Sequence, residues 1–181
     1  NLNSFKNLQF HEPTFQGQID AQTMKGFEYI DAQRIVFVDG QFSPKWSQAK
    51  DQVGVSVQTF AEALTSNPEL LKSVYEKSGN TFVDQNTVHA QSGYVVQIAK
   101  NTQVTKPIHI IHFTTEYQVK KKKKNLVICE EGSKATILEE SVAKGAGVYF
   151  VSRVTHIHVQ NQAQLTHIKL QNESESAFHI S

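Results

Sequence analysis

Apolar positions in the first thirty-odd residues are scattered. Phe5, Leu8, Phe10 and Phe15 offer anchors without a clean period. The first ordered signal is Arg34-Ile-Val-Phe-Val-Asp-Gly40, a β-branched run that Asp39-Gly40 closes as a tight turn. Gln41-Phe42-Ser43 reads as the returning strand, stopped by Pro44, and Val53-Gly-Val-Ser-Val57 alternates with the period of another short strand. Thr59-Phe-Ala-Glu62 then forms a capping box, in which the hydroxyl and the carboxylate satisfy reciprocal backbone donors at a helix start. That helix is predicted over 60–65. Asn67-Pro68 starts a second one, carrying Leu70, Leu71, Val74 and Tyr75 at helical spacing and ending at Gly79-Asn80.

From Tyr94 onward, short β-branched runs alternate with small polar turns and no helix is signalled to the end. Ile137-Leu-Glu-Glu-Ser-Val142 has half a helical pattern, but nothing caps it. Three blocks resemble one another: Ile98 to Thr105, Cys129 to Thr136 and Val159 to Thr166, at offsets of 31 and 30 residues. Each is an apolar residue, five mostly polar residues, a second apolar residue and Thr. Such a block reads as strand, tight turn, strand. At a fixed interval it suits a solenoid whose coils stack their apolar residues into one interior. A β-sandwich is the alternative that composition leaves open.

Composition adds one oddity. The 181 residues are 39% hydrophobic but only 19% charged, and the difference is made up by 18 Gln and 10 Asn. The mixture is too apolar for a disordered chain, and ladders of amides suit stacked coils. No apolar stretch approaches the ~18 residues of a membrane helix, and a signal-peptide layout is absent, so a cytoplasmic protein is expected. Net charge is +1, yet five of the 18 basic residues sit together at Lys120 to Lys124. That run reads as a solvated, mobile loop, or else as an electrostatic foot for nucleic acid or anionic lipid. The chain has only two arginines, Arg34 and Arg153, and no aromatics interleave with the lysines as base-stacking platforms.

Candidate chemistry is thin. His156 and His158 share a strand face, and His167 falls in the next strand, so these three are the metal candidates, with Glu139 or Glu140 as carboxylate ligands. His109 and His112 lie on opposite strand faces. Cys129 precedes two carboxylates, which raise a thiol pKa, so it reads as a small core residue. Glu139 and Glu140 point to opposite faces and make a poor acid/base couple. No catalytic or cofactor-binding residue is assigned. A β-helix enzyme acting on polysaccharide would need clustered acids with Arg or Lys on an exposed sheet, which the repeat blocks lack.

Five segments, in order, resemble the SufB/SufD family of iron–sulfur cluster assembly proteins, and SufD more than SufB. They are Ile35-Val-Phe-Val-Asp-Gly-Gln-Phe-Ser-Pro44, Phe60-Ala-Glu-Ala-Leu with Asn67-Pro-Glu-Leu70, Lys106-Pro-Ile-His-Ile-Ile111, Asn125 to Ile137, and His167-Ile-Lys-Leu-Gln171. The stretch Phe82 to Ser92 matches loosely. The resemblance implies a mainly β fold: a right-handed parallel β-helix core preceded by a short α/β segment. Residues 1–80 would form that segment, with a helical pair at about 59–78, and residues 81–181 the first coils. Asn1 in place of Met and the strand-like end Ala177 to Ser181 suggest a piece of a longer chain. The resemblance further implies a non-catalytic scaffold subunit with SufB-like and SufC-like partners, or a homodimer in their absence. Nucleic acid and membrane are not expected partners. A transient iron–sulfur cluster and a reduced flavin would belong to the whole complex, and none of its functional positions maps onto a residue here.

Overall fold

The computed structural model describes residues 9–14, 17–48, 52–75 and 92–181. The anchors Phe5, Leu8 and Phe15, the helix stop at Gly79-Asn80 and nearly all of Phe82 to Ser92 lie outside them. Among the described residues the chain runs α1 (Ala21–Lys25), β1 (Gln33–Val38), β2 (Gln41–Phe42), β3 (Val55–Thr59) and α2 (Phe60–Ser66). A 3₁₀ turn (Pro68–Leu71) and α3 (Lys72–Tyr75) follow, then β4 (Tyr94–Ile98), β5 (Ile108–Thr114) and β6 (Lys120–Cys129). The last strands are β7 (Lys134–Ala143), β8 (Phe150–Val159), β9 (Gln164–Asn172) and β10 (Phe178–Ile180). The fold is mainly β.

Local signals explain most of the first half. Asp39 and Gly40 both take positive φ, at 51° and 98°, and turn β1 into β2. The capping box is complete: the Thr59 amide donates to Glu62 Oε2 at 2.7 Å, and the Glu62 amide donates to Thr59 Oγ1 at 3.1 Å. One helix escaped the sequence reading. Asp20 caps α1 by accepting from the Thr23 amide at 2.7 Å, on a helix too short to show a period.

From β4 onward, consecutive strands alternate between two mixed sheets. The first is ordered β2-β1-β5-β7-β9 and the second β10-β8-β6-β4-β3. Each strand from β6 on pairs parallel with the strand two before it. Register offsets are 31, 30 and 28 residues in the second sheet, and 29 and 30 in the first. The repeat blocks mark where each strand of the second sheet turns into the first. Asn101, Gly132 and Gln162 occupy the same turn position with φ of 59°, 69° and 58°. These turns stack: the Asn101 amide donates to the Glu131 carbonyl at 2.9 Å, and the Gly132 amide to the Asn161 carbonyl at 3.0 Å. Ile137 to Val142, half helical by pattern, lies within β7, because β5 and β9 pair with it on both edges.

Three apolar clusters follow from strand alternation. Between the sheets lie Ile35, Phe37, Ile108, Ile110, Ala135 and Ile137 of the first, against Tyr94, Val96, Ile98, Val127 and Cys129 of the second. The first sheet's outer face is covered by Ile19, Met24 and Phe27. The second sheet's is covered by Phe60, Ala63, Leu71 and Val74 of the helical region.

The lysine run is the largest departure from expectation. Lys120 to Lys124 is not a solvated loop but the first half of β6, and Lys121, Lys123 and Lys124 are 3%, 2% and 0% exposed. Its register with β8 is unbroken from Lys120↔Phe150 to Cys129↔Val159. No turn residue separates the lysines from Asn-Leu-Val-Ile-Cys, so the strand continues through them.

Candidate functional site

The same alternation that sends Val127 and Cys129 inward sends Lys121, Lys123 and Asn125 inward too. On the facing sheet, Ala135 and Ile137 are followed inward by Glu139 and Ser141. The space between the sheets is therefore apolar beside the repeat turns and charged further along.

Glu139 is the hub. Its Oε1 lies 3.0 Å from His112 Nε2 and 3.3 Å from Arg153 Nη1, and its Oε2 lies 3.1 Å from His167 Nε2. Asn125 Nδ2 donates to the same carboxylate at 3.5 Å and to Thr155 Oγ1 at 3.2 Å. Lys123 Nζ sits 3.1 Å from His112 Nδ1, and Arg153 Nη1 donates to Ser141 Oγ at 2.9 Å. The bonds of Lys123 to His112, of Arg153 to Glu139 and Ser141, and of Asn125 to Glu139 cross from sheet to sheet, whereas His112 and His167 reach Glu139 within its own sheet. The network assigns the tautomer: His112 donates through Nε2 to the carboxylate and accepts at Nδ1 from Lys123.

A second centre joins the N-terminal hairpin to β6. Asp39, 1% exposed, accepts from Lys121 Nζ at 2.6 Å, from the Thr115 amide at 2.8 Å and from the Glu116 amide at 3.2 Å. A third lies at the far end, where Glu173 accepts from Tyr149 at 3.2 Å and contacts His179. There Val119, Tyr149 and Val151 close the interior with a small apolar cluster. Three carboxylates (Asp39, Glu139, Glu173) thus face three basic side chains (Lys121, Lys123, Arg153).

Burial opposes the ionised Glu139, but His112, His167 and Arg153 outweigh it and hold its pKa well below 4.5. Asp39 behaves alike: burial opposes its charge, while Lys121 and Thr115 keep the pKa low. Burial, with Arg153 and Lys123 nearby, drives His112 well below 6.5 and keeps its imidazole neutral. Lys123 is lowered well below 10.5, first by burial and then by Arg153 and Lys121. Chemically, the arrangement holds balanced charge in a dry space and links Lys123, His112, Glu139 and His167 in one hydrogen-bonded chain.

The outer face of the first sheet carries a smaller cluster. Glu140 accepts from Tyr29 at 2.9 Å and Asn172 at 3.3 Å, with His109 Nε2 at 3.0 Å. Glu139 and Glu140 therefore point to opposite faces, as their adjacency predicts, and take His112 and His109 with them.

The sequence candidates do not assemble as one group. His156 and His158 pair in register with Leu126 and Ile128, which pack on the outer face under the helices. His167 pairs with Ile137 and points inward to Glu139. Among the described residues, no three His, Cys, Asp or Glu side chains are disposed to hold a metal ion. Where two histidines do flank one carboxylate, Arg153 already occupies it. Cys129 is fully buried in the apolar cluster and burial raises its thiol pKa. Sequence reasoning missed Asp39, Lys121, Lys123 and Arg153 and set His112 aside. The available signal was the missing turn residue after the lysines. Asp39, Glu139 and Glu140 are likewise buried. With Lys121, Lys123 and Lys124 enclosed, the nucleic-acid foot loses most of its charge.

Fold and interior together define a class: stacked parallel strands in two sheets, around an interior that holds three carboxylates and three basic side chains. Comparison makes this specific. Residues 7–110 match the model of the SufBD protein N-terminal region, and residues 112–181 match that of the SufBD core domain of the SUF system for FeS cluster assembly. A relative from Synechocystis sp., described as an iron–sulfur cluster assembly SufBD family protein, is 28% identical over 162 residues, covering 82% of this chain. The chain spans 36% of that relative's length. The chain belongs to the SufB/SufD family. No helix among the described residues is long and apolar enough to cross a membrane.

Proposed function

We propose that this chain is part of a SufD-like, non-catalytic scaffold that works in the cytoplasm with SufB-like and SufC-like partners. In this reading the two sheets are the first coils of a right-handed parallel β-helix, preceded by an N-terminal α/β segment over residues 1–80. The observation that carries it is the succession of the two family matches, N-terminal region then core, along one chain whose strands stack at an offset near 30 residues. A β-helix suits a scaffold because its coils make a stiff rod with long lateral surfaces. The iron–sulfur cluster is cargo of the whole assembly, and any ATP hydrolysis belongs to the SufC-like partner. A reduced flavin, too, belongs to the whole complex, and no residue of this chain is assigned to hold either group.

Co-expression with SufB-like and SufC-like proteins, followed by size-exclusion chromatography, tests the proposal. Co-elution with the SufB-like protein is expected. If neither this chain nor a longer chain containing it co-elutes with either partner, the scaffold reading falls. A homodimer formed in their absence and displaced by the SufB-like protein supports it.

A further inference from the structure

The turn after β2 carries a feature that the scaffold reading does not use. A cavity of about 380 Å³, within the range of ligand pockets, opens where this turn meets the chain before α1. Its apolar walls are Ile19, Val38, Phe42, Pro44 and Trp46. β2 is the last strand of its sheet, so Phe42 stays 36% exposed although its ring lies 5.9 Å from that of Phe37. Trp46 is half-buried, and Lys45 is exposed, with its Nζ 4.6 Å from the centre of the Trp46 ring.

The walls are preformed. Ser47 Oγ accepts from the Val36 amide at 2.9 Å and donates to the Ser43 carbonyl at 2.8 Å, which fastens the turn to β1. Beyond it, the Gln48 amide donates to the Arg34 carbonyl at 2.8 Å. On the other side, Gly17 packs so closely on Thr115 and Asp39 that a Cβ there has no room. Among the described residues that line the cavity, Lys45 is the only charged one, and its Nζ meets a ring rather than a carboxylate. The polar lining formed by Gln18, Gln41 and Ser43 is neutral. One accessible cation beside two accessible rings matches a flat apolar group that carries one carboxylate.

We infer that this cavity binds a small aromatic carboxylate, with Lys45 taking the carboxylate and Phe42 and Trp46 taking the ring. The inference stands on the cavity and its accessible lining and does not depend on the scaffold reading.

Trp46 is the single tryptophan of the chain, so its fluorescence reports on this site alone. Titration of the full 181-residue chain with hydrocinnamate, followed by emission and by isothermal calorimetry, tests the inference. Hydrocinnamamide serves as the uncharged analogue and propionate as the analogue without a ring. Hydrocinnamate should bind saturably with Kd below about 1 mM. The amide should bind about fivefold more weakly, because it lacks the pairing with Lys45. Propionate should not saturate up to about 10 mM. Lys45→Gln, at an exposed position, should keep the fold by circular dichroism, weaken hydrocinnamate about fivefold and leave the amide unchanged. Neither saturable emission change nor saturable heat from hydrocinnamate up to about 10 mM with folded protein overturns the inference. So does equal affinity for the amide or for propionate, or hydrocinnamate binding unchanged in the folded Lys45 variant.

Discussion

The interior between the two sheets is built in two ways. Beside the repeat turns, Ile98, Ile110, Val127, Cys129 and Ile137 make an ordinary apolar core. A few residues along the same strands, Lys121, Lys123, Glu139 and Arg153 fill the same space with charge. Strand geometry is identical in both zones, so the difference lies in what satisfies the buried groups. Apolar side chains need only contact, whereas each buried charge needs a specific partner in hydrogen-bond geometry. The apolar zone can therefore repack around a change. The charged zone cannot, because a removed partner leaves another group stranded in a dry space.

This contrast is breakable, and the largest effect is expected at its hub. Glu139→Ala leaves Arg153 buried without its carboxylate and should cost about 3–5 kcal/mol, or prevent folding. Urea denaturation gives the value, and a loss below 1 kcal/mol would show that the network is not load-sharing as described. Ile137→Ala, one inward position away, should cost about 3 kcal/mol from lost transfer and a partly relaxed cavity. Its effect should not change with pH.

Acidification separates the zones next. The folded pKa values of Asp39, Glu139 and Glu173 lie below their ordinary ones. Their stabilisation is present above about pH 4.5 and is lost as pH falls through the folded values. His112 is also depressed, so the unfolded chain takes up its proton first, beginning near 6.5, and stability falls in that window too. Both contributions have one sign: urea midpoints should drop from pH 7 to 5 and drop further below 4.5. A His112→Phe variant should lose part of this upper decline, the rest coming from His109 and His156, whose pKa values burial also lowers. A wild-type midpoint that stays flat from pH 7 to 5 would refute the assignment. The smallest effect should come from the turns, which belong to the apolar end. Gln162 holds a positive φ of 58° where Gly132 sits one repeat away, so Gln162→Gly should stabilise by up to about 0.5–1 kcal/mol. A destabilised variant would mean that the Gln162 side chain contributes more than its backbone strain removes.

Much of the fold was legible along the chain because its causes are local. The Asp39-Gly40 turn and the Thr59–Glu62 capping box involve neighbours within three residues. The repeat blocks announce the stacking because each repeat needs the same turn at the same place. Cys129 reads as core because the two carboxylates after it disfavour a reactive thiolate. The lysine run was misread for a physical reason. Five ammoniums in a row prefer water, and only partners far away in sequence reverse that preference. Asp39 lies 82 residues from Lys121, and His112 lies across the sheet gap from Lys123. Likewise, His167 seemed to belong with His156 and His158, but facing is set by which sheet a strand joins.

Period, β-branching and turn chemistry fix most of the turns and the interval at which strands recur, but not the lysine half of β6. The sequence also carried the family membership. Which side chains meet depends on how the sheets pack. Glu139 draws its partners from β5, β8 and β9, and Asp39 draws Lys121 from β6. Long-range ion pairs of this kind have no local pattern, because their stabilisation exists only once the sheets have excluded water around them.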